Sequence, residues 1–257
     1  MNSPYSLLRF PVAILGLSVA ILWLSASLGA YASQRWRLFQ EEEREGFNIV
    51  LTATLTLLGL IIGFSFSMAI SRYDQRKNLE EAEANAIGTE YVRAGLLPME
   101  ITDRTKDLLK QYLDQRILFY EERHDGNIAP IESRTAQLQD EMWTVVQSAA
   151  HAQRDPVIGL AVSGMNDVLN TQADSTAAWR NRIPQAAWIL MGAIALCSCT
   201  LLGYGAPRTR WVLLAILPVV LAIALFLVAD IDSPRHGLIR VLPENLAALQ
   251  QSLRSSR

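Results

Sequence analysis

Four long apolar runs, none of which contains a charged side chain, constrain what this chain can fold into. They extend over Pro11 to Ala32, Ile49 to Ile70, Ala186 to Tyr204 and Trp211 to Ala229. A helix needs about 20 apolar residues to cross the hydrocarbon core of a bilayer. The sequence therefore predicts an integral membrane protein with four transmembrane helices. We expect the first run to be a retained helix, because it is longer than the ~7–15-residue apolar core of a signal peptide.

The polar residues collect between the second and third runs, where the pattern is helical and no alternating strand pattern competes. The second helix has no stop signal before Gly95 and Pro98, so we expect it to continue past its apolar part. Further helices are predicted over Glu100 to Glu122, Ser133 to about Gln153, and Asp155 to about Trp179, with a loop over 125–130. Apolar side chains at helical spacing mark their packing faces: Leu108, Leu109, Tyr112, Leu113 and Ile117; Leu138, Met142, Val145, Val146 and Ala149; Ile158, Ala161, Met165, Val168 and Leu169.

The predicted fold is an all-α membrane protein with a cytoplasmic helical bundle inserted between the second and third transmembrane helices. We divide the chain into N-terminal transmembrane helices (1–72), a cytoplasmic helical domain (73–183), a transmembrane hairpin (184–229) and a cytoplasmic C-terminal segment (230–257). The last segment includes a short helix from Glu244 to about Leu253, opened by Pro243.

The distribution of Lys and Arg predicts the orientation, because basic residues near helix ends favour the cytoplasmic side. With the N-terminus inside, eight such residues flank the cytoplasmic ends: Arg9, Arg72, Arg76, Lys77, Arg180, Arg182, Arg235 and Arg240. Five flank the other ends: Arg35, Arg37, Arg44, Arg208 and Arg210. We therefore expect both termini and the helical domain in the cytoplasm.

The sequence gives no indication of catalysis. The three histidines lack metal-ligand spacing, and no nucleophile or phosphate-loop motif is present. Four carboxylates, Glu80, Glu81, Glu83 and Glu90, are expected to keep a solvated helix soluble. The net charge of −2 gives no reason to expect a nucleic-acid partner. We predict no catalytic residue, no metal and no cofactor.

One stripe of small residues on the second helix allows two interpretations. Thr52, Thr56, Gly59, Gly63 and Ser67 follow one another at steps of four, three, four and four, which places them on one face. Gly59 and Gly63 form a Gly-x-x-x-Gly motif, which favours close helix packing in lipid. Alternatively the stripe lines a pore, and Leu60 and Phe64 beside it form an apolar constriction. The spacing leaves both open.

Two carboxylates, Asp230 and Asp232, follow the fourth run. Their oxygens are suitable ligands for a hard cation, and they are equally suited to local capping and turn formation. A cation site at this position is a hypothesis.

Three segments together resemble the bacterial bestrophin-like domain family. They are Gly63-Phe-Ser-Phe-Ser-Met-Ala-Ile-Ser-Arg-Tyr-Asp-Gln-Arg-Lys77, Glu83-Ala-Asn-Ala-Ile-Gly-Thr-Glu-Tyr-Val-Arg-Ala-Gly-Leu-Leu-Pro98 and Asp230-Ile-Asp-Ser-Pro-Arg-His-Gly-Leu-Ile-Arg240. The resemblance extends from about residue 48 over most of the chain. Gly63-Phe64 and Arg72-Tyr73 also keep the spacing of a Gly-Phe pair and an Arg-aromatic pair in true bestrophins, which are pentameric ion channels.

This resemblance implies a homo-oligomeric ion channel, expected to be a pentamer, with the second helix lining the pore and with lipids and inorganic ions as its other partners. It also implies that the helices lie in a bacterial cytoplasmic (inner) membrane. The bestrophin neck would fall on Thr56, Leu60 and Phe64. Only Phe64 matches it as an aromatic residue, Leu60 is an apolar substitute, and Thr56 departs from it as a polar residue. The calcium clasp of animal bestrophins is reduced to Asp230 and Asp232.

Two other functions remain as alternatives. A membrane-anchored scaffold or sensor, whose helical domain binds a protein partner, needs no aqueous path and takes the stripe as packing only. A secondary transporter would be expected to show inverted repeats or a charge at mid-membrane, and here only Pro218 interrupts a span.

Overall fold

The chain is helical throughout the part that the computed structural model describes, which comprises residues 11–36, 44–152, 155–206 and 211–255. Eight α-helices follow one another along these residues: α1 (Pro11–Trp36), α2 (Arg44–Arg93), α3 (Met99–Glu121), α4 (Ile128–Ala152), α5 (Pro156–Arg180), α6 (Gln185–Gly205), α7 (Trp211–Asp232) and α8 (Glu244–Ser255). Two 3₁₀ turns, Ala94–Leu96 and Asp125–Asn127, precede α3 and α4. No strand occurs in these ranges, which confirms the predicted all-α class.

Four helical segments are long and apolar enough to cross a membrane: Ile14–Arg35, Arg44–Leu96, Pro156–Gly205 and Val212–Asp232. Their number agrees with the four predicted spans. The apolar part of the second segment is the first half of α2, and that of the third is α6. Helix α2 is 50 residues long and continues well past its apolar part, as the lack of a stop signal predicts.

The described residues form two compact units. The first, which we call the membrane unit, comprises Met1–Ser71 and Arg182–Ile239, and the second, which we call the helical unit, comprises Arg72–Asn181 and Arg240–Arg257. In the first unit α1 packs against α6 and α7. Its core consists of small and aliphatic side chains: Leu22, Ala26, Ala30, Leu58, Ala195, Cys199, Leu214, Leu221 and Ala222.

The second unit is a bundle formed by the second half of α2 together with α3, α4, α5 and α8. The three predicted apolar stripes face its core, with Val145 and Leu169 only partly buried. The aromatic rings of Phe119, Tyr120 and Trp179 pack edge to face, with centroids 5.1–5.6 Å apart. Edge-to-face contacts between aromatic rings stabilise a particular geometry beyond the effect of burying their surface. These three rings therefore fix α3 against the end of α5.

Helix α4 begins five residues earlier than the sequence predicts, at Ile128 instead of Ser133. The predicted loop over 125–130 is in fact a 3₁₀ turn followed directly by α4. Pro130 lies in the first turn of this helix, where the missing N–H costs nothing because no intrahelical acceptor is available there.

Candidate functional site

Helix α2 has two distinct faces in the membrane unit. Leu58, Ser65 and Ala69 are buried, and Ile62, on the same side, packs against the core. The steps of four, three and four residues between them describe one side of an α-helix. This side attaches α2 to the rest of the membrane unit.

The predicted stripe lies on the opposite side of α2 and is uncovered. Its five residues and the two apolar residues beside it are exposed in the single chain: Thr52, Thr56, Gly59, Gly63 and Ser67, with Leu60 and Phe64. Phe64 is 64% exposed and Leu60 is 54% exposed. These residues therefore share one surface, and that surface faces lipid, water or another molecule.

The two glycines of the stripe make no close helix contact within the chain. A Cβ atom added to Gly59 or to Gly63 would meet no described atom within 4 Å. Packing through these glycines would therefore require a second molecule.

The hydroxyl groups of α2 are partly satisfied by the helix itself. The hydroxyl of Thr56 donates to the carbonyl oxygen of Thr52 at 2.8 Å, and that of Thr54 donates to the carbonyl oxygen of Val50 at 2.7 Å. Each hydroxyl oxygen keeps the capacity to accept a further hydrogen bond. The surface is thus uncharged and weakly polar, with its apolar part at Leu60 and Phe64.

Asp230 and Asp232 both act as acceptors for backbone N–H groups. The two oxygens of Asp230 accept from the N–H groups of Leu238 and Ile239 at 2.7 and 2.8 Å. Asp232 accepts from the N–H of Ile183 at 3.1 Å. Both side chains are buried, and no group of three or more His, Cys, Asp or Glu with metal-binding geometry occurs among the described residues. These contacts fit the capping interpretation of the two carboxylates.

Three of the four carboxylates that the sequence assigns to a solvated surface are buried. Glu80, Glu83 and Glu90 face the helical unit, and only Glu81 is exposed. The expectation was wrong for these three because charged side chains are usually exposed, and the partners of Glu80 and Glu83 lie on other helices. Together with Ile87 they follow the helical period along one side of α2.

Glu83 forms a bidentate ion pair with Arg116 of α3. The guanidinium donates to the two carboxylate oxygens at 2.8 and 3.3 Å, and the two side chains are 1% and 0% exposed. Burial raises the pKa of Glu83 above its ordinary value, while the charge of Arg116 acts in the opposite direction. Glu80 accepts from the backbone N–H of Leu246 at 2.9 Å and from the amide of Asn245 at 2.6 Å, so it caps the N-terminus of α8.

The close helix contact in the membrane unit depends on two glycines that the sequence analysis did not single out. A Cβ atom on Gly29 of α1 would overlap the carbonyl of Thr200, and one on Gly203 of α6 would overlap the carbonyl of Ala26. Ser25 and Thr200 share a hydrogen bond of 2.7 Å at the same contact. The sequence did contain a signal for this close contact, because small residues recur every four positions in α1, as at Ser25 and Gly29.

Comparisons with known proteins identify a family for this chain and solved structures that share its fold. A family model described as the Bestrophin-like domain matches residues 18–246, so the match includes most of α1, which precedes the resemblance found in the sequence. No curated protein matches the chain significantly.

Several crystal structures share the fold. Two are point variants of a bacterial bestrophin homologue from Klebsiella pneumoniae, both with a TM-score of 0.67 and 14% identity. The first alignment covers 95% of this chain and 98% of that one, and the second covers 93% and 97%. A point variant described only as a membrane protein has a TM-score of 0.68 and 14% identity, covering 95% of this chain and 97% of that chain. At this identity the likeness shows the fold alone.

Proposed function

The chain belongs to the bestrophin-like domain family, and on that premise we propose that it is a homo-oligomeric ion channel whose pore is lined by α2. The observation that carries the proposal is the uncovered stripe on the side of α2 opposite its packed face. A helix attached by one side and bare on the other can surround an axis together with copies of itself.

The composition of the stripe suits a water-filled path better than a lipid-facing surface. It combines the hydroxyls of Thr52, Thr56 and Ser67 with two glycines that leave space beside them. Leu60 and Phe64 lie one turn apart and project from the same surface. Repeated around an axis, they would form the narrow apolar part, which controls ion passage by excluding water.

The finer features of the channel are part of the same proposal. We propose five subunits, α2 at the axis, the helical unit and both termini in the cytoplasm, and location in a bacterial cytoplasmic membrane. The names of the structural relatives, which include a bacterial bestrophin homologue, support the channel class. The distribution of basic residues supports the orientation.

The first experiment is to count subunits and to look for an axial opening. We expect the detergent-purified protein to have the mass of a pentamer and to show a central gap bordered by the Phe64-bearing helices in particle images. A monomer, or a compact dimer without an axial gap, would refute the channel and favour the scaffold or sensor.

Measurements of ion flux test whether Leu60 and Phe64 line the pore. We expect Leu60→Ala and Phe64→Ala to raise flux through reconstituted vesicles severalfold, because shortening either side chain widens and hydrates an apolar constriction. Ile189→Ala on α6 is the matched control, since Ile189 is also an exposed aliphatic side chain on a membrane-crossing helix. Equal flux in all four proteins would contradict a lining role for Leu60 and Phe64.

A further inference from the structure

Glu90 is a buried carboxyl group without a hydrogen-bond partner. Its side chain is on the second half of α2, within the helical unit, and is 0% exposed. Neither carboxyl oxygen has a hydrogen-bond partner among the described residues. A carboxylate buried in this way is strongly disfavoured in its charged form, so the group is expected to retain a proton.

Helix α5 provides the space for this carboxyl group. A Cβ atom on Gly164 would overlap a Glu90 carboxyl oxygen and would lie close to the Arg93 side chain. The carboxyl group therefore lies directly against the backbone of α5, at the contact between α2 and α5. Any change in its charge acts on that contact.

Two charged groups influence Glu90, one on each helix. Arg93 is on α2, and Asp167 is on α5, with 3.9 Å between Nη1 of Arg93 and Oδ2 of Asp167. Burial raises the pKa of Glu90 to about 8, the charge of Asp167 adds to that rise, and the charge of Arg93 opposes it. The carboxyl group is therefore mostly neutral below about pH 8 and mostly charged above it.

We propose that Glu90 is a proton-dependent switch of the helical unit: the neutral carboxyl group allows α5 to pack on α2 at Gly164, and loss of its proton loosens that contact. The inference concerns the helical unit by itself and does not rest on the channel proposal. Glu90 differs from the other two buried carboxyl groups of this bundle, since Glu80 and Glu83 have hydrogen-bond partners.

The direction in which pH changes the stability of this contact follows from proton linkage. In the closed contact the pKa of Glu90 is about 8, whereas in an opened, hydrated state it returns to about 4.3. The closed state therefore binds more protons between these values, and its stability falls as the pH rises through this window and is constant above it. Linkage of one proton makes local opening increase by up to about tenfold per pH unit within the window.

Hydrogen exchange in the full-length, detergent-purified protein measures that opening. We expect amides of α5 around Gly164, corrected for intrinsic exchange, to open more often as the pH rises from about 6 to about 8 and to level off above it. Glu90→Gln keeps a neutral group of the same shape, and we expect it to remove this pH dependence. Glu81→Gln, at an exposed position of the same helix, is the matched control and should retain it.

A second variant keeps the test decisive if Glu90→Gln folds poorly. Asp167 is exposed on α5, and Asp167→Asn removes a charge that favours the protonated form of Glu90. We expect the opening curve to level off at a lower pH in this variant. The proposal is overturned if α5 opening in the wild type does not change with pH. It is also overturned if the change survives Glu90→Gln, or if it is unaffected by Asp167→Asn.

Discussion

Arg116 and Glu83 form a fully buried ion pair, and the stability of this pair depends on both partners. Removing two charges from water costs several kcal/mol per ion, which is recovered only when the pair is well bonded. The pair has two hydrogen bonds, and the guanidinium also lies 4.4 Å from the centre of the Phe119 ring. Loss of one partner leaves the other as a buried, uncompensated charge.

We therefore predict that Arg116→Met and Glu83→Gln each destabilise the protein, Arg116→Met by about 3–5 kcal/mol. Glu83→Gln is expected to cost at least as much, because the guanidinium of Arg116 stays charged and the amide oxygen replaces only one of its two acceptors. The measurement is thermal unfolding of the detergent-purified chain, followed by circular dichroism. Arg104→Met is the control, since the Arg104–Glu141 pair at 2.9 Å is exposed and such pairs contribute about 0–1 kcal/mol. Similar losses in the buried and exposed variants would contradict the prediction.

Asp230 provides the second prediction at this scale. Asp230→Ala leaves the backbone N–H groups of Leu238 and Ile239 without their acceptor. A hydrogen bond to a charged acceptor contributes about 1.5–3 kcal/mol, so we expect a fall in Tm. Because both oxygens are used by N–H donors, adding Ca²⁺ to the wild type should leave Tm unchanged. A Ca²⁺-dependent rise in Tm that Asp230→Ala abolishes would instead establish the cation site, since a ligand that binds the folded state stabilises it.

The residue scale is also where the sequence is least informative. Glu80, Glu83 and Glu90 were expected in solvent, and their spacing on α2 already matched that of a buried face. Nothing local reveals that Arg116 or the N-terminus of α8 lies opposite them. The partner of Glu80 is 166 positions away along the chain, so only the tertiary structure supplies it.

At the scale of elements, apolar periodicity predicted most helices to within a few residues. The packing faces of α3, α4 and α5 are long and regular, so several apolar side chains at helical spacing identify the same buried side of each helix. The error at the start of α4 arose from reading Pro130 as part of a loop. Boundaries are poorly determined by periodicity because the first turn of a helix has few packed side chains and tolerates proline.

The contact between α1 and α6 gives the prediction for this scale. Gly29→Ala and Gly203→Ala each place a methyl group against the backbone of the facing helix, and such overpacking costs about 1–3 kcal/mol. We expect both variants to unfold at lower temperature than the wild type. Gly16→Ala on α1 and Gly192→Ala on α6 are the matched controls, because a Cβ atom at either meets no described atom within 4 Å.

The two controls should be neutral or slightly stabilising, because alanine is favoured over glycine in a helix by about 0.8–1 kcal/mol. A uniform effect of the four substitutions would show that close approach of α1 and α6 does not determine stability. The measurement is the same thermal unfolding, performed on full-length protein in one detergent.

At the scale of the whole molecule, the sequence could suggest but not decide how copies of the chain assemble. The stripe on α2 was visible from spacing alone, and the structure adds that it lies opposite the buried residues Leu58, Ser65 and Ala69. An uncovered face of small residues suits both a pore wall and a contact between subunits. The distinction depends on what lies opposite this face in an assembly, which is a property of several chains.

Gly63→Val separates these two interpretations, because the added side chain changes the ion flux in one case and the mass of the oligomer in the other. If α2 lines a pore, as we propose, two methyl groups and a methine project into the path, so ion flux falls while the oligomer keeps its mass. If the stripe packs between subunits, the close approach that glycine permits in lipid is lost, and the oligomer dissociates. Gly16→Val, at an exposed glycine of α1 without neighbours, controls for a β-branched residue in a membrane helix. For Gly63→Val we expect an oligomer of unchanged mass with reduced ion flux, and for Gly16→Val we expect both quantities to be unchanged. A smaller particle in Gly63→Val would show that the stripe packs between subunits, and the ion pathway would then have to be lined by another helix.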